Sequence, residues 1–327
     1  MIKSVLNRYK SFPIQVKASM WFLICSFLQK GISTVTTPIF TRIMNTTEYG
    51  QYNVFNSWLS IASIFVSLSL TGGVYAQGLV KFEKDRNVFT SSLQGLTLLL
   101  VAVWMVIYFI FHDFWNQLFT LSSVQMIAML VIIWTTAVFS FWSTEQRVNY
   151  KYKALVAITL VVSLAKPIVG IFCVSVTNDK VSARILGIAL VELIGYAWLF
   201  FIQVKRGEVL FSKKYWVYAL SFNLPLVPHY LSQTVLNSAD RIMIRDLVGP
   251  SDAGIYSLAY SISLLMLLFN TALMQTINPW IYRKIKDKSI KDISSVAFST
   301  LMALACLNLL LIVLAPEVVA IFAPPTY

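Results

Sequence analysis

Apolar residues run along this chain in windows of about 20, each long enough to cross the roughly 30 Å hydrocarbon layer of a bilayer as a helix. Nine such windows are separated by short breaks carrying charge, proline or glycine: Ala18–Ile39, Asn53–Leu79, Val88–Phe111, Leu118–Trp142, Ala154–Val176, Ala183–Val204, Trp216–Leu236, Ala253–Trp280 and Ile293–Phe322. Backbone groups in lipid must be satisfied within their own segment, so the pattern predicts an all-α polytopic membrane protein. The seventh window is the least regular. Its stretch SFNLPLVPHYLSQTVLNSADR holds Pro225 and Pro228. Each proline removes an N–H and clashes with the preceding turn, which predicts a kink or break serving as a hinge or cavity wall, with Asn223 beside it a candidate for binding substrate in the cavity.

Two lysines interrupt the apolar windows. Lys30 lies near the middle of the first and Lys166 near the middle of the fifth. A cation at helix centre costs about 2.5 to 3.5 kcal/mol on insertion scales, so it usually faces a bundle interior or a water-filled cavity. Ser26, Ser33, Thr34 and Thr37 share one helical face with Lys30. Thr159, Ser163, Lys166, Gly170 and Cys173 form a second small or polar stripe, and Asn53, Ser57, Ser60, Ser67 and Thr71 a third. Small polar residues also pack helix against helix, which accounts for such stripes without a ligand. The lysines are different, because the single acidic side chain at mid-window is Glu192. Both lysines are candidates to bind an anionic substrate, a diphosphate or an acidic sugar; the alternative for Lys166 is a structural ion pair with Glu192, which would still leave Lys30 without a partner. Glu192 and His229 are also the candidates for carrying a coupling ion, although a lone histidine equally serves as a hydrogen-bonded packing residue.

Composition fixes the class: 57% of the 327 residues are hydrophobic and 12% charged, far too apolar for a soluble chain. The net charge of +12 raises the possibility of nucleic acid, but its distribution argues for a membrane. Nineteen Lys and Arg fall in alternate segments beginning with the N-terminus and five in the others, with Arg184 counted in the segment before window six. This places the N-terminus in the cytoplasm. The basic N-terminus and first window lack an A-x-A-like cleavage site and read as a retained helix. The basic run RKIKDKSIK from Arg283 reads as an anchor against anionic lipid heads. No phosphate-binding loop, H-E-x-x-H or Cys/His cluster occurs, so neither a cofactor nor a metal is expected. The three cysteines all fall inside windows and read as packing residues.

An internal repeat organises the chain. TRIMNTTEYGQYNVFNSW from Thr41 and DRIMIRDLVGPSDAGIYSLAYSI from Asp240 each carry Arg-Ile-Met at the outer end of one window, then a Gly-x-Tyr that opens the next (Gly50–Tyr52 and Gly254–Tyr256). Both copies lie on the same side of the membrane by charge, which predicts parallel lobes spanning residues 1–207 and 208–327, the second three helices short of six.

Several blocks carry a family resemblance: KGISTVTTPIFTRIMNTTEYGQY, TEQRVNYKYKAL, LSFNLPLVPHYLSQTVLNSADRIMI, AGIYSLAYSI and NPWIYRKIK. Together they resemble the polysaccharide biosynthesis flippases, translocases of lipid-linked O-antigen or capsule repeat units within the multidrug, oligosaccharidyl-lipid and polysaccharide exporter superfamily. The resemblance implies two six-helix lobes that open alternately to either side of the bacterial cytoplasmic membrane. It implies as cargo an undecaprenyl-diphosphate-linked glycan, with polysaccharide polymerase and other assembly proteins as partners and no nucleic acid. In such proteins cavity cations engage the diphosphate; by position Lys30 matches that role best, with Arg42 at the outer mouth a second candidate. Asp240 and Arg241 lie within the family block without an assigned role. The alternatives are a cation-coupled drug antiporter of the same superfamily and a membrane glycan polymerase or ligase. Antiporters of that fold use membrane carboxylates, and polymerases and ligases commonly need a large outward loop.

Overall fold

A computed structural model of the protein describes residues 13–286 and 290–327, and these are helical with no strand. Lys3, Arg8 and Lys10 and the side chains of the basic run from Arg283 to Lys291 lie outside the described part. In chain order the helices are α1 (Ile14–Ile43), α2 (Thr46–Ser67), α3 (Gly73–Lys81), α4 (Arg86–Ile110), α5 (His112–Phe119), α6 (Ser123–Val148), α7 (Tyr152–Val176) and α8 (Lys180–Gly207). They continue as α9 (Lys213–Asn223), α10 (Val227–Leu247), α11 (Pro250–Lys286), α12 (Ile290–Val313) and α13 (Ala315–Phe322).

Among the described residues, five helical segments are long and apolar enough to cross a membrane by length and composition: Glu83–Ile110, Ser123–Val148, Tyr152–Val176, Lys180–Gly207 and Val296–Val313. The helices α1, α2 and α10 fall short because serine, threonine and charged residues occupy one side of each. Outward-facing Phe172, Ile194 and Phe201 are 66%, 71% and 67% exposed, as a surface solvated by lipid requires. The chain is a multi-pass membrane protein.

Four windows differ from continuous helices. The second breaks between α2 and α3, where Leu68 and Ser69 adopt left-handed backbone with φ of 49° and 51°. Such residues cost about 1–2 kcal/mol each, and the chain recovers through hydrogen bonds from Leu70 N to Ser67 O and from Gly72 N to Ser69 O. Apolar neighbours on both sides concealed this break from a hydropathy window. The fourth begins as the short α5; α6 starts afresh at a capping box, in which Ser122 and Gln125 exchange side-chain and backbone hydrogen bonds. The ninth divides at Leu314, just before Pro316 in the first turn of α13. In the seventh, α9 stops at Asn223 and a 3₁₀ turn over Leu224–Leu226 carries Pro225. Pro228 then sits in the first turn of α10, where its missing N–H breaks no ladder.

The largest core cluster joins α1, α2, α6, α8 and α11 through Phe40, Tyr49, Phe55, Met129, Ile185 and Leu258. A second cluster packs Tyr75, Phe89, Phe141 and Tyr215 between α3, α4, α6 and α9. The repeat copies meet at the crossing of α2 with α11. A Cβ on Gly50 would lie 1.9 Å from the Pro250 carbonyl oxygen, and one on Gly254 would lie 2.1 Å from that of Thr46. Each of these carbonyls belongs to the residue four positions before the opposite glycine, so the contact is reciprocal. Beside it the Thr46 and Ser251 hydroxyls are 2.8 Å apart. Only glycine permits backbones to approach this closely.

Gly50→Ala and Gly254→Ala are each expected to lower the thermal unfolding temperature in detergent, by an overpacking cost of about 1–3 kcal/mol. The double variant is expected to cost less than the sum, because either methyl alone forces the same separation. Gly31→Ala, where an added Cβ meets nothing within 4 Å, is the neutral control.

Candidate functional site

Lys30 lines a cavity of about 380 Å³ walled by α1, α2, α7 and α8. Ser26, Gln29, Ser33 and Thr36 contribute from its own helix, and Ser163 and Lys166 from α7. The two helices are tied by a 3.2 Å hydrogen bond from Gln29 Nε2 to Ser163 Oγ. Each contains an internal proline, Pro38 in α1 and Pro167 in α7, so each lacks one ladder bond close to the cavity.

Lys166 is paired. Its Nζ lies 2.5 Å from Glu192 Oε1 on α8, and Glu192 is 4% exposed. The other carboxylate oxygen accepts from the hydroxyls of Thr135 at 2.8 Å and Thr136 at 3.0 Å, both on α6. Both oxygens of Glu192 are therefore engaged, one by an ammonium and one by two hydroxyls. Lys30 has no hydrogen-bond or ion-pair partner among the described residues.

A third cation enters the same cavity. Arg184, one turn into α8, lines it with Lys30 and Lys166. Its guanidinium carbon lies 3.5 Å from the centroid of the Phe40 ring and 3.6 Å from that of Tyr52, stacked between α1 and α2. Its Nη1 reaches the Met44 sulfur at 3.5 Å, and its buried Nε has no acceptor among the described residues. The charge count missed Arg184 because it follows Lys180 by one turn and was credited to the outer segment. Its place one helical turn inside the sixth span was the available signal.

A second cavity of about 420 Å³ lies between α2, α6, α10 and the broken turn before α3. Ser60, Ser63 and Ser67 line one side, Thr136 and Ser140 another, and Tyr230, Gln233 and Thr234 a third. No charged side chain lines it. Glu192 lines neither cavity but links them, since it accepts from Lys166, which lines the first, and from Thr136, which lines the second.

Other predicted residues lie elsewhere. Arg42 is exposed on α1 and donates to the Pro38 and Ile321 carbonyls at 2.8 and 3.0 Å, which fastens the end of α13 to α1. Asn223 is fully buried and lines neither cavity; its Nδ2 donates to the Leu68 carbonyl at 2.9 Å, joining the break after α2 to the break after α9. His229 is exposed on α10, its ring 6.0 Å from that of Tyr230. Asp240 accepts from the Tyr256 hydroxyl. The Arg241 guanidinium stacks 4.2 Å from the Tyr260 ring and reaches Ser57 Oγ at 3.5 Å, so this pair links α10 to α11 and α2. Within the predicted polar stripes, Ser57 and Gly170 serve contacts between helices.

Comparison with known proteins gives a family match described as polysaccharide biosynthesis protein over residues 16–284. A Haemophilus influenzae protein named for the Lsg locus is 24% identical over 291 residues, covering 84% of this chain and 67% of the relative. A second protein of that organism, described as an uncharacterized membrane protein, is 20% identical with the same coverage. No solved structure matches the chain significantly.

Removing one partner of the Lys166–Glu192 pair strands the other. Glu192→Ala is expected to cost about 3 kcal/mol, at the low end of the range for a buried pair because Lys166 keeps partial solvent access. Lys166→Met combined with Glu192→Leu is expected to recover most of that loss in thermal unfolding. Additive single losses would show the two charges to be uncoupled.

Proposed function

The chain belongs to the polysaccharide biosynthesis protein family, and on that premise we propose that it is a flippase for a lipid-diphosphate-linked oligosaccharide repeat unit. The cargo crosses the bacterial cytoplasmic membrane by alternating access, without ATP and without covalent chemistry, for assembly of a capsule or O-antigen polysaccharide. An undecaprenyl carrier suits the family, and the polymerase and related assembly proteins are the partners on the outer side.

The observation that carries this proposal is the cation balance of the Lys30 cavity. Three cations line it, Glu192 neutralises one, and neither Lys30 nor Arg184 has a carboxylate partner among the described residues. Uncompensated cations at membrane depth are costly unless an anion or water meets them. A diphosphate supplies two adjacent anionic groups, which suits one ammonium and one guanidinium. In the transport cycle Lys30 and Arg184 would hold the diphosphate, Tyr52 and Phe40 would keep the guanidinium in place, and the prenyl chain would remain in lipid. The Pro225 turn, with Pro228 behind it, would take up the backbone change as the lobes move.

A cation-coupled drug antiporter fits less well. Glu192 is the mid-window carboxylate such a protein would need, and its oxygens are committed to Lys166, Thr135 and Thr136.

Lys30→Ala is expected to abolish surface glycan and to accumulate the lipid-linked unit in the cytoplasmic leaflet at equal protein level, while Lys30→Arg retains partial export. Arg184→Gln is expected to reduce export by a smaller factor. Normal export by Lys30→Ala would remove the anion-binding role. Export that continues unchanged after proton and sodium gradients are dissipated would remove Glu192 and His229 as ion carriers.

A further inference from the structure

The hydroxyl-lined cavity has a chemistry of its own. On α2 the protons of Ser60, Ser63 and Ser67 are turned inward, donated to the carbonyls of Asn56, Ser60 and Ser63 at 2.8, 2.8 and 2.7 Å. The Thr136 proton goes to Glu192. These four hydroxyls therefore offer lone pairs to the cavity. On the facing wall Tyr230, Gln233 and Thr234 have no side-chain hydrogen-bond partner among the described residues and supply donors as well as acceptors.

The backbone at this wall is also unusual. The left-handed turn at Leu68 and Ser69 interrupts the span, and Ser69, Thr71 and Gly72 from that turn line the cavity. A Cβ at Gly72 would stand 3.1 Å from the Ser69 carbonyl oxygen and 3.7 Å from Tyr230 Oη, so glycine leaves this corner open. Non-helical backbone at membrane depth is tolerated where it lines a cavity or is buried in protein, and discontinuous helices commonly form the substrate sites of transporters.

We propose that this cavity is a subsite for uncharged sugar, distinct from the cationic cavity and linked to it through Glu192. A neutral sugar hydroxyl both donates and accepts, so it answers the accepting wall of α2 and α6 and the mixed wall of α10 together. A uronate carboxylate only accepts; it would face four oxygens whose protons are committed, with the Glu192 carboxylate directly behind Thr136. A protonated amino sugar would find no carboxylate lining the cavity, and its ammonium, which only donates, would leave the donors of Tyr230, Gln233 and Thr234 unanswered. The side-by-side placement of an anion site and a polyol site matches a sugar joined to a phosphate. This extends the flippase proposal by naming the class of sugar beside the diphosphate, and the subsite itself can be tested with free sugar that carries no lipid anchor.

The full-length protein in lipid nanodiscs would be titrated, with saturation-transfer NMR as the readout, against three free oligosaccharides of equal length. One is built of N-acetylglucosamine, one contains glucuronate, and one contains unacetylated glucosamine. The neutral oligosaccharide is expected to bind at least about tenfold more tightly than either charged one. Tyr230→Phe and Gln233→Leu, each checked for unchanged thermal unfolding, are expected to weaken its binding. Equal or tighter binding of a charged oligosaccharide, no binding of the neutral one, or indifference to both substitutions would overturn the proposal. A sugar-free prenyl diphosphate forms a separate arm. If it fails to bind while the neutral sugar binds in a Tyr230-dependent way, the flippase proposal falls and the subsite stands.

Discussion

The carboxylate of Glu192 organises the polar interior of this helix bundle. Burying an isolated carboxylate among helices costs several kcal/mol, and a buried ion pair tends only to break even against an apolar replacement of similar volume. Glu192 meets that cost with an ammonium on one oxygen and two hydroxyls on the other. Its consequence is a division of charge rather than a gain in stability. Lys166 is neutralised from one side, Lys30 and Arg184 are left without a carboxylate in the same cavity, and no charged side chain lines the hydroxyl cavity beyond Thr136. One side chain thus touches the lining of two adjoining spaces of different electrostatic character.

The interruptions of regular helix gather around those spaces. Pro38 and Pro167 lie in the helices that wall the cationic cavity, the left-handed turn after α2 lines the hydroxyl cavity, and the 3₁₀ turn at Pro225 precedes the helix that supplies Tyr230, Gln233 and Thr234. Each would leave backbone groups unsatisfied against lipid. Asn223 shows the compensation directly, since its amide satisfies the Leu68 carbonyl at one break while capping no helix at the other. The buried amide therefore holds two discontinuities in register.

Much of this was legible in the sequence, and the failures have physical causes. Five of the nine apolar windows correspond to helices long and apolar enough to span among the described residues, because lipid imposes a length and an apolarity that few other contexts demand. Lys30 and Lys166 stood out for the same reason, and Glu192 as the only mid-window acid made the Lys166 pair foreseeable. The Gly-x-Tyr copies at Gly50 and Gly254 were visible as a repeat, but their mutual contact was not, because similarity along a chain carries no information about which faces meet. Arg184 escaped because charge counting credits a residue near a helix end to the loop. Asn223 and Arg42 were grouped with the cavity by type and position, whereas each is occupied by a main-chain carbonyl. The break at Leu68 was hidden because averaging over a window cannot register two residues of left-handed backbone.

Helix α2 connects these features mechanically. Gly50 crosses α11, Tyr52 stacks on Arg184, Ser57 meets Arg241, and Ser60 and Ser67 face the hydroxyl cavity, all within six turns of one helix. Because a helix this short behaves as a nearly rigid rod, parting α2 from α11 at the glycine crossing cannot leave the other contacts in place. Withdrawal of Tyr52 would free the guanidinium of Arg184 from one of its two aromatic faces, and the same displacement would widen or narrow the space between Ser60 and Thr234. The cation that would hold a diphosphate and the hydroxyl wall that would hold its sugar are thereby tied to the glycine crossing, where the two repeat copies touch backbone to backbone.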